Sequence, residues 1–327
     1  MRPLLALAIL FLINIDSTTA LMRQVLGEHA VIDARRVPLD AGDAARVRVG
    51  GLTYLGGVVL DSPDPAFGGF SAMQLAGDRF TLVSDNGNVV RFRMGPDWRI
   101  REPAFGDLPG GPGTGWKKEQ RDSESLAWDP VSGRIWIGFE RYNAIYRYDA
   151  ALSRVEASAQ PPAMADWSKA GGPESMTRLR NGHFLVISET SRPDGAPDAR
   201  IGLRFAGDPT APGARPVRFG YVPPPGYDPT DIAELPDGRL LVLNRRLSLP
   251  GLFTAKLTVI DLHGVRVGGV VRGVEIATLE APLLHDNFEA LAVTREGDAT
   301  IVWIASDDNL EVWERSLLLK FRLDRLP

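Results

Sequence analysis

One unit written five times constrains this 327-residue chain more than any other feature. In each copy a small or acidic residue opens a short apolar strand, a turn follows, and a longer apolar run ends in a polar group. The copies are Phe70-Ser71-Ala72-Met73 leading to residues 80–85, Ser123-Glu124-Ser125-Leu126 to 134–140, Pro173-Glu174-Ser175-Met176 to 184–189, Thr230-Asp231-Ile232-Ala233 to 240–244, and Phe288-Glu289-Ala290-Leu291 to 301–307. Their starts at 71, 124, 174, 231 and 289 are 53, 50, 57 and 58 residues apart, the period of propeller blades. Halfway through each copy stand Gly77-Asp78, Ser132-Gly133, Asn181-Gly182, Asp237-Gly238 and Gly297-Asp298, all residues that favour tight reversals.

The second strands are apolar without alternation, as strands buried on both faces must be. More alternating third strands follow at 89–93, 145–148, 257–260 and 317–321, and no long stretch carries helical periodicity. The expected fold is therefore all-β, a single β-propeller of four-stranded antiparallel blades. The five copies occupy residues 70–327, while the strand-like runs 47–49, 52–55 and 58–60 lack the signature. Those runs either pair with the C-terminal strands or add a blade. Six blades are expected, with five as the alternative.

Residues 1–20 stand apart from that domain, which takes up residues 21–327. Met1-Arg2, an apolar run of ten over 4–13 and Ser17-Thr18-Thr19-Ala20 have the order of a secretory signal peptide. The run is too short to span a bilayer, which needs about twenty apolar residues. The domain is thus expected in the periplasm or outside the cell, without a membrane span and as a monomer. With no cysteine anywhere, thiol catalysis, Cys-ligated zinc, a lipid-bearing Cys and a disulfide framework are all excluded. A net charge of −4 offers no basic field for a nucleic acid.

In a hairpin the first residue of one strand lies beside the last residue of the other. Glu124 is therefore expected beside Glu140, Glu174 beside Glu189, Asp231 beside Asn244, and Glu289 beside Asp307 and Asp308. If first strands line the axis, these groups converge on one mouth of the channel. Crowded carboxylates raise one another's pKa unless a cation compensates them. Arg121, Arg141, Arg245, Arg246, His285 and Asn287 are placed at the same rim. Oxygen-rich ligand sets of this kind suit Ca²⁺, or Mg²⁺, whereas the four scattered histidines at 29, 183, 263 and 285 form no zinc spacing. The glycine-rich loop 110–115, followed by Lys117 and Lys118, lacks the strand and helix that a phosphate-binding P-loop needs, and reads as a connection between blades.

At these residues the chain resembles the secreted bacterial proteins described as "esterase-like activity of phytase". The likeness rests on Phe67-Gly68-Gly69-Phe70-Ser71, Asp122-Ser123-Glu124-Ser125-Leu126, Gly172-Pro173-Glu174-Ser175-Met176, and Asp286-Asn287-Phe288-Glu289-Ala290-Leu291 with Ser306-Asp307-Asp308-Asn309. It covers roughly residues 30–325 and implies a β-propeller whose recurring acids carry ester or phosphoester hydrolysis; Asn244 departs from it, standing where an acid is expected.

The expected activity is metal-assisted hydrolysis of a small phosphoester. Glu124, Glu174, Asp231, Asn287 and Glu289 are candidate metal ligands, and Glu140, Glu189 and Asp307 candidate catalytic groups. Arg141, Arg245, Arg246 and His285 are candidates for substrate binding. Two other readings remain open: a Ca²⁺-dependent lactonase or carboxylesterase, which few cations at the mouth would favour, and a ligand-binding propeller without catalysis.

Overall fold

The computed structural model describes residues 22–249, 252–311 and 313–327, so the leader expected over residues 1–20 lies outside the described residues. Why the repeats become blades is visible in how each second strand divides its side chains. In Ile135–Phe139, Ile135 and Ile137 turn towards Val83 and Val89 of the preceding sheet, while Trp136 between them turns towards Phe184 and Val186 of the next. Leu185 and Val186, Leu241 and Val242, and Val302 and Trp303 split in the same way. Five sheets therefore alternate with five apolar cores. Each fully buried aliphatic side chain contributes roughly 1.5–3 kcal/mol, which is why apolar residues dominate these runs.

The hairpins turn where the sequence places them. Gly77 lies between Phe70–Ala76 and Arg79–Ser84 with φ 64°, and Gly297 between Phe288–Glu296 and Ala299–Ser306 with φ 59°. Both are left-handed conformations that glycine adopts without a Cβ clash. The first strands, Phe70–Ala76, Ser123–Trp128, Ser175–Arg178, Asp228–Glu234 and Phe288–Glu296, each touch the next and close a ring around the axis.

The ring has five blades, not the preferred six. Leu52–Asp61 pairs antiparallel with the C-terminal strand Leu317–Leu323, from Leu52 beside Leu323 to Val59 beside Leu317. Asp33–Arg36 and Arg48–Val49 pair only with Leu52–Asp61, so the N-terminal strands extend the fifth blade instead of building another. Packing explains the choice: Val58 and Leu60 complete the core between the last blade and the first, against Phe70, Ile301 and Trp303.

The four-stranded antiparallel plan holds for blades 1, 2 and 4, while blade 5 has six strands and blade 3 has five. The extra strand of blade 3, Val270–Arg272, pairs parallel with Val217–Val222. It belongs to the segment inserted between Leu252–Ile260 and Val274–Leu279 of blade 4, which reaches across to its neighbour's open edge. Among the described residues no helix is long and apolar enough to cross a membrane.

Candidate active site

The acids reach the channel mouth because the backbone is bulged beneath them. Four ladders slip by one residue: Phe70 faces Ser84 and Ala72 faces Val83; Ser123 faces Phe139 and Ser125 faces Gly138; Pro229 faces Asn244 and Asp231 faces Leu243; Phe288 faces Ser306 and Ala290 faces Ala305. The unpaired residues are Ser71, Glu124, Thr230 and Glu289, and a bulge re-aims the side chain it frees. Glu174 holds the same place in blade 3. There Glu189 N–H donates to Gly172 O as Glu140 N–H does to Asp122 O and Asp307 N–H to Asn287 O. A second circle follows at the ends of the second strands: Asp85, Glu140 and Asp307 one residue beyond their ladders, Glu189 two beyond, and Arg245 opposite Asp228.

This register corrects the expected partnership of Asp231 with Asn244. Thr230, not Asp231, is the counterpart of Glu124, and Asp231 points the other way. Its carboxylate accepts from Ile232 N at 2.7 Å and from Leu291 N of the next blade at 2.7 Å. Burial pushes its pKa well above the carboxylate range, and those two N–H groups oppose the rise. Asn244 is fully buried, accepting from Tyr221 Oη at 2.6 Å, and the residue at the mouth is Arg245. Asp231 thus joins two blades. Asp231→Ala is expected to leave Leu291 N–H unsatisfied and to destabilise the fold by about 1–3 kcal/mol in urea denaturation, with the response to calcium unchanged. Lost calcium response at parental stability would return Asp231 to the site.

Two trios of carboxylate oxygens lie within 4.8 Å of one another: Asp122, Glu124 and Glu140, and Glu140, Glu174 and Glu189. Glu140 belongs to both. Burial raises the Glu124 and Glu174 pKa values well above the usual range, and repulsion among Glu124, Glu140, Glu174, Glu189 and Glu289 adds to it. Glu140 is pushed up to about 7 by burial and then by Asp122, although the Gly171 N–H donates to it. An all-oxygen set without histidine, at this spacing, fits a hard divalent cation.

On the other side, Glu289 and Asp307 are buried, and burial also lifts both; Arg245 opposes the rise at Glu289, whereas Glu289 and Asp85 reinforce it at Asp307. Arg245 fills the sector where the other blades carry acids. It donates to Glu189 Oε1 at 2.7 Å, to Asn287 Oδ1 at 2.7 Å and to Glu289 Oε1, so it is a built-in counterion. Arg141 Nε lies 2.9 Å from Asp122 and 3.3 Å from Glu140, with its side chain 47% exposed.

Other expected rim groups stand elsewhere. Arg246 stacks 4.7 Å from the Tyr227 ring centroid, and His285 Nδ1 is 2.8 Å from Phe253 O. Arg121 is buried beneath the glycine-rich loop, donating to Pro112 O at 2.8 Å. Gly115 N–H in that loop and Lys117 N–H just after it already donate to Gln120 Oε1, at 2.9 and 3.4 Å, so neither is free to hold a phosphate.

Three mouth residues went unassigned in the sequence, Asp85, Lys118 and Asp122, and Asp308, expected at the mouth beside Glu289, was given no role there. Lys118 Nζ pairs with Asp85 and lies 3.4 Å from Asp122. Asp308 accepts from Gly69 N at 2.9 Å and Ser316 Oγ at 2.8 Å, clamping blade 5 to blade 1. A signal for two of them exists. Asp85 follows Ser84 as Glu189 follows Ser188 and Asp307 follows Ser306, and Asp122 precedes Glu124 by two residues as Asn287 precedes Glu289.

The fold and this mouth define a class, a five-bladed propeller with a carboxylate-lined axial site. The chain belongs to the phytase-like family described as "esterase-like activity of phytase", which matches residues 65–310. No curated protein matches it. Among solved structures it is similar to a Bacteroides thetaiotaomicron protein of unknown function, at 13% identity and TM-score 0.47 over 92% of this chain and 73% of that one. A structural-genomics protein described provisionally as a gluconolactonase is 12% identical, with TM-score 0.44 over 89% and 94% of the two chains. Kuenenia stuttgartiensis hydrazine synthase is 13% identical with TM-score 0.38; 74% of this chain is covered, and it spans 57% of that one.

Proposed function

We propose that this protein is an exported, divalent-cation-dependent hydrolase of small phosphoesters, working at the acidic mouth of the propeller. The observation that carries the reading is the pair of carboxylate trios sharing Glu140. Asp122, Glu124, Glu140, Glu174 and Glu189 would hold calcium, or magnesium; when bound, the cation supplies charge stabilisation for a phosphoryl oxygen and orients water. Arg141 and Lys118 are the exposed cations beside the first trio, with side chains 47% and 38% exposed. Both now face Asp122. Once that carboxylate is compensated, they are placed to offset the charge of a phosphoryl group. Asp307, whose pKa is raised by burial and its neighbours, would take the proton of the attacking water once a bound cation has opposed that rise and left it ionised. Glu289 and Asn287 hold Arg245 in place and so keep the ring's shape. Export rests on the leader-like residues 1–20.

One observation favours a second reading, a lactone or carboxylic ester as substrate. Arg245 is wholly engaged by Glu189, Asn287 and Glu289, which leaves Arg141 and Lys118 as the exposed cations described beside the first trio. Assay of the purified protein on phosphomonoesters, phosphodiesters and lactones, in calcium and in chelator, separates the two. The expected result is phosphoester turnover that chelator abolishes. Lactone turnover alone would transfer the site to the second reading, and turnover indifferent to chelator would remove the cation from both.

A further inference from the structure

The segment before the first strand is not a loose tail. Met22 forms a β-bridge with Lys117, and Arg23 N–H donates to Trp116 O at 3.0 Å. The Arg23 guanidinium, whose side chain is only 7% exposed, forms a bidentate pair with Asp107 at 2.5 and 2.6 Å and donates to Asn86 O at 2.9 Å. Farther along, Leu26 N–H donates to Asn88 Oδ1 at 3.2 Å, and Gly27 N–H to Asp64 Oδ2 at 2.7 Å. Arg23 thus holds the turn carrying Asp85 through its guanidinium and the loop carrying Lys118 through its backbone N–H. Those two side chains form the ion pair that closes the wall between blades 1 and 2.

We propose that Arg23 is a positioning residue: the N-terminal strap latches the Asp85 turn to the Lys118 loop, and so sets the charge that the first carboxylate trio feels. The proposal rests on reading the mouth as a cation site. A bidentate Arg–carboxylate pair fixes orientation as well as distance, so the guanidinium pins the strap to blade 1 while the strap's backbone, through Arg23 N–H and the Met22 bridge, holds the Lys118 loop. Lys118 lies 3.4 Å from Asp122, a member of that trio. When the latch is lost, Lys118 is free to leave, and the removal of a positive charge beside the trio strengthens its attraction for a cation. A merely structural residue would instead weaken binding together with the fold.

The test uses the mature protein and calcium chloride, with Kd measured by calorimetry for the parent, Arg23→Gln, Lys118→Met and the double variant. Arg23→Gln is expected to tighten calcium severalfold, in the same direction as Lys118→Met, and the double variant to add nothing further, because coupled residues are not additive. Additive effects, or an unchanged or weaker Kd in Arg23→Gln, would overturn the latch. Hydrogen exchange supplies a readout that needs no calcium. Amides of residues 84–88 and 113–121 should exchange at least tenfold faster in Arg23→Gln while blades 3 and 4 are unchanged, and parental exchange in those two segments would overturn the latch. If the parent binds no calcium but exchange rises as described, the latch stands and the cation reading falls.

Discussion

Glu140→Gln is expected to lower kcat/KM by at least on the order of a hundredfold, since even partners one step removed from a metal typically contribute 10–100-fold. Glu140 is the carboxylate common to both trios, so its loss takes a charged ligand from two sets at once. The amide keeps the shape and an oxygen for the Gly171 N–H, so the fold should be retained. The same substitution at Glu189 should cost less in cation binding, because Glu189 belongs to one trio and is partly neutralised by Arg245. Kinetics of the two variants beside the parent check this order. Parental turnover in Glu140→Gln would remove the shared carboxylate from the reaction.

The second large effect is on stability against pH in chelator. Glu140 titrates near 7 in the folded protein against an ordinary value of 4.5. Between those values the folded chain keeps a proton that the unfolded chain has lost. The stabilisation is complete below the unfolded value and disappears as pH rises through the folded one. A shift of that size corresponds to about 3 kcal/mol. Glu124, Glu174 and Asp307 are raised for the same reason and act in the same direction. Metal-free protein should therefore melt lower at pH 8 than at pH 5, and calcium should reverse the trend by binding the deprotonated form. Glu140→Gln should flatten the metal-free curve. A metal-free melting temperature that rises from pH 5 to pH 8 would contradict the crowding of these acids.

Much of the architecture was readable because blades repeat. Copies about fifty residues apart, each with a turn pair at its centre, gave the strand order and the inter-blade cores. The count failed because Leu52–Asp61 carries no hairpin of its own, and a strand that completes another blade has no periodic mark to distinguish it from one that begins a sheet. The site was partly readable. Glu124, Glu174 and Glu289 meet where hairpin logic puts them, with Glu140 and Glu189 beside them. Bulges defeated the rest: a one-residue slip turns a side chain to the other face, so Asp231 became a bond between blades and Arg245 took the position assigned to Asn244. Lys118 lies in a loop outside the repeat, where spacing carries no information.

Calorimetric titration of the chelator-treated protein with calcium chloride at pH 8 tests the central claim most directly. Saturable binding to the parent is expected, lost or severely weakened in Glu140→Gln, and it should stabilise the fold by about 2.7 kcal/mol when free calcium is a hundredfold above Kd. Magnesium should compete for the same oxygens. No saturable heat from either ion, or equal binding by parent and Glu140→Gln, would contradict the account and leave the acids as locks between blades.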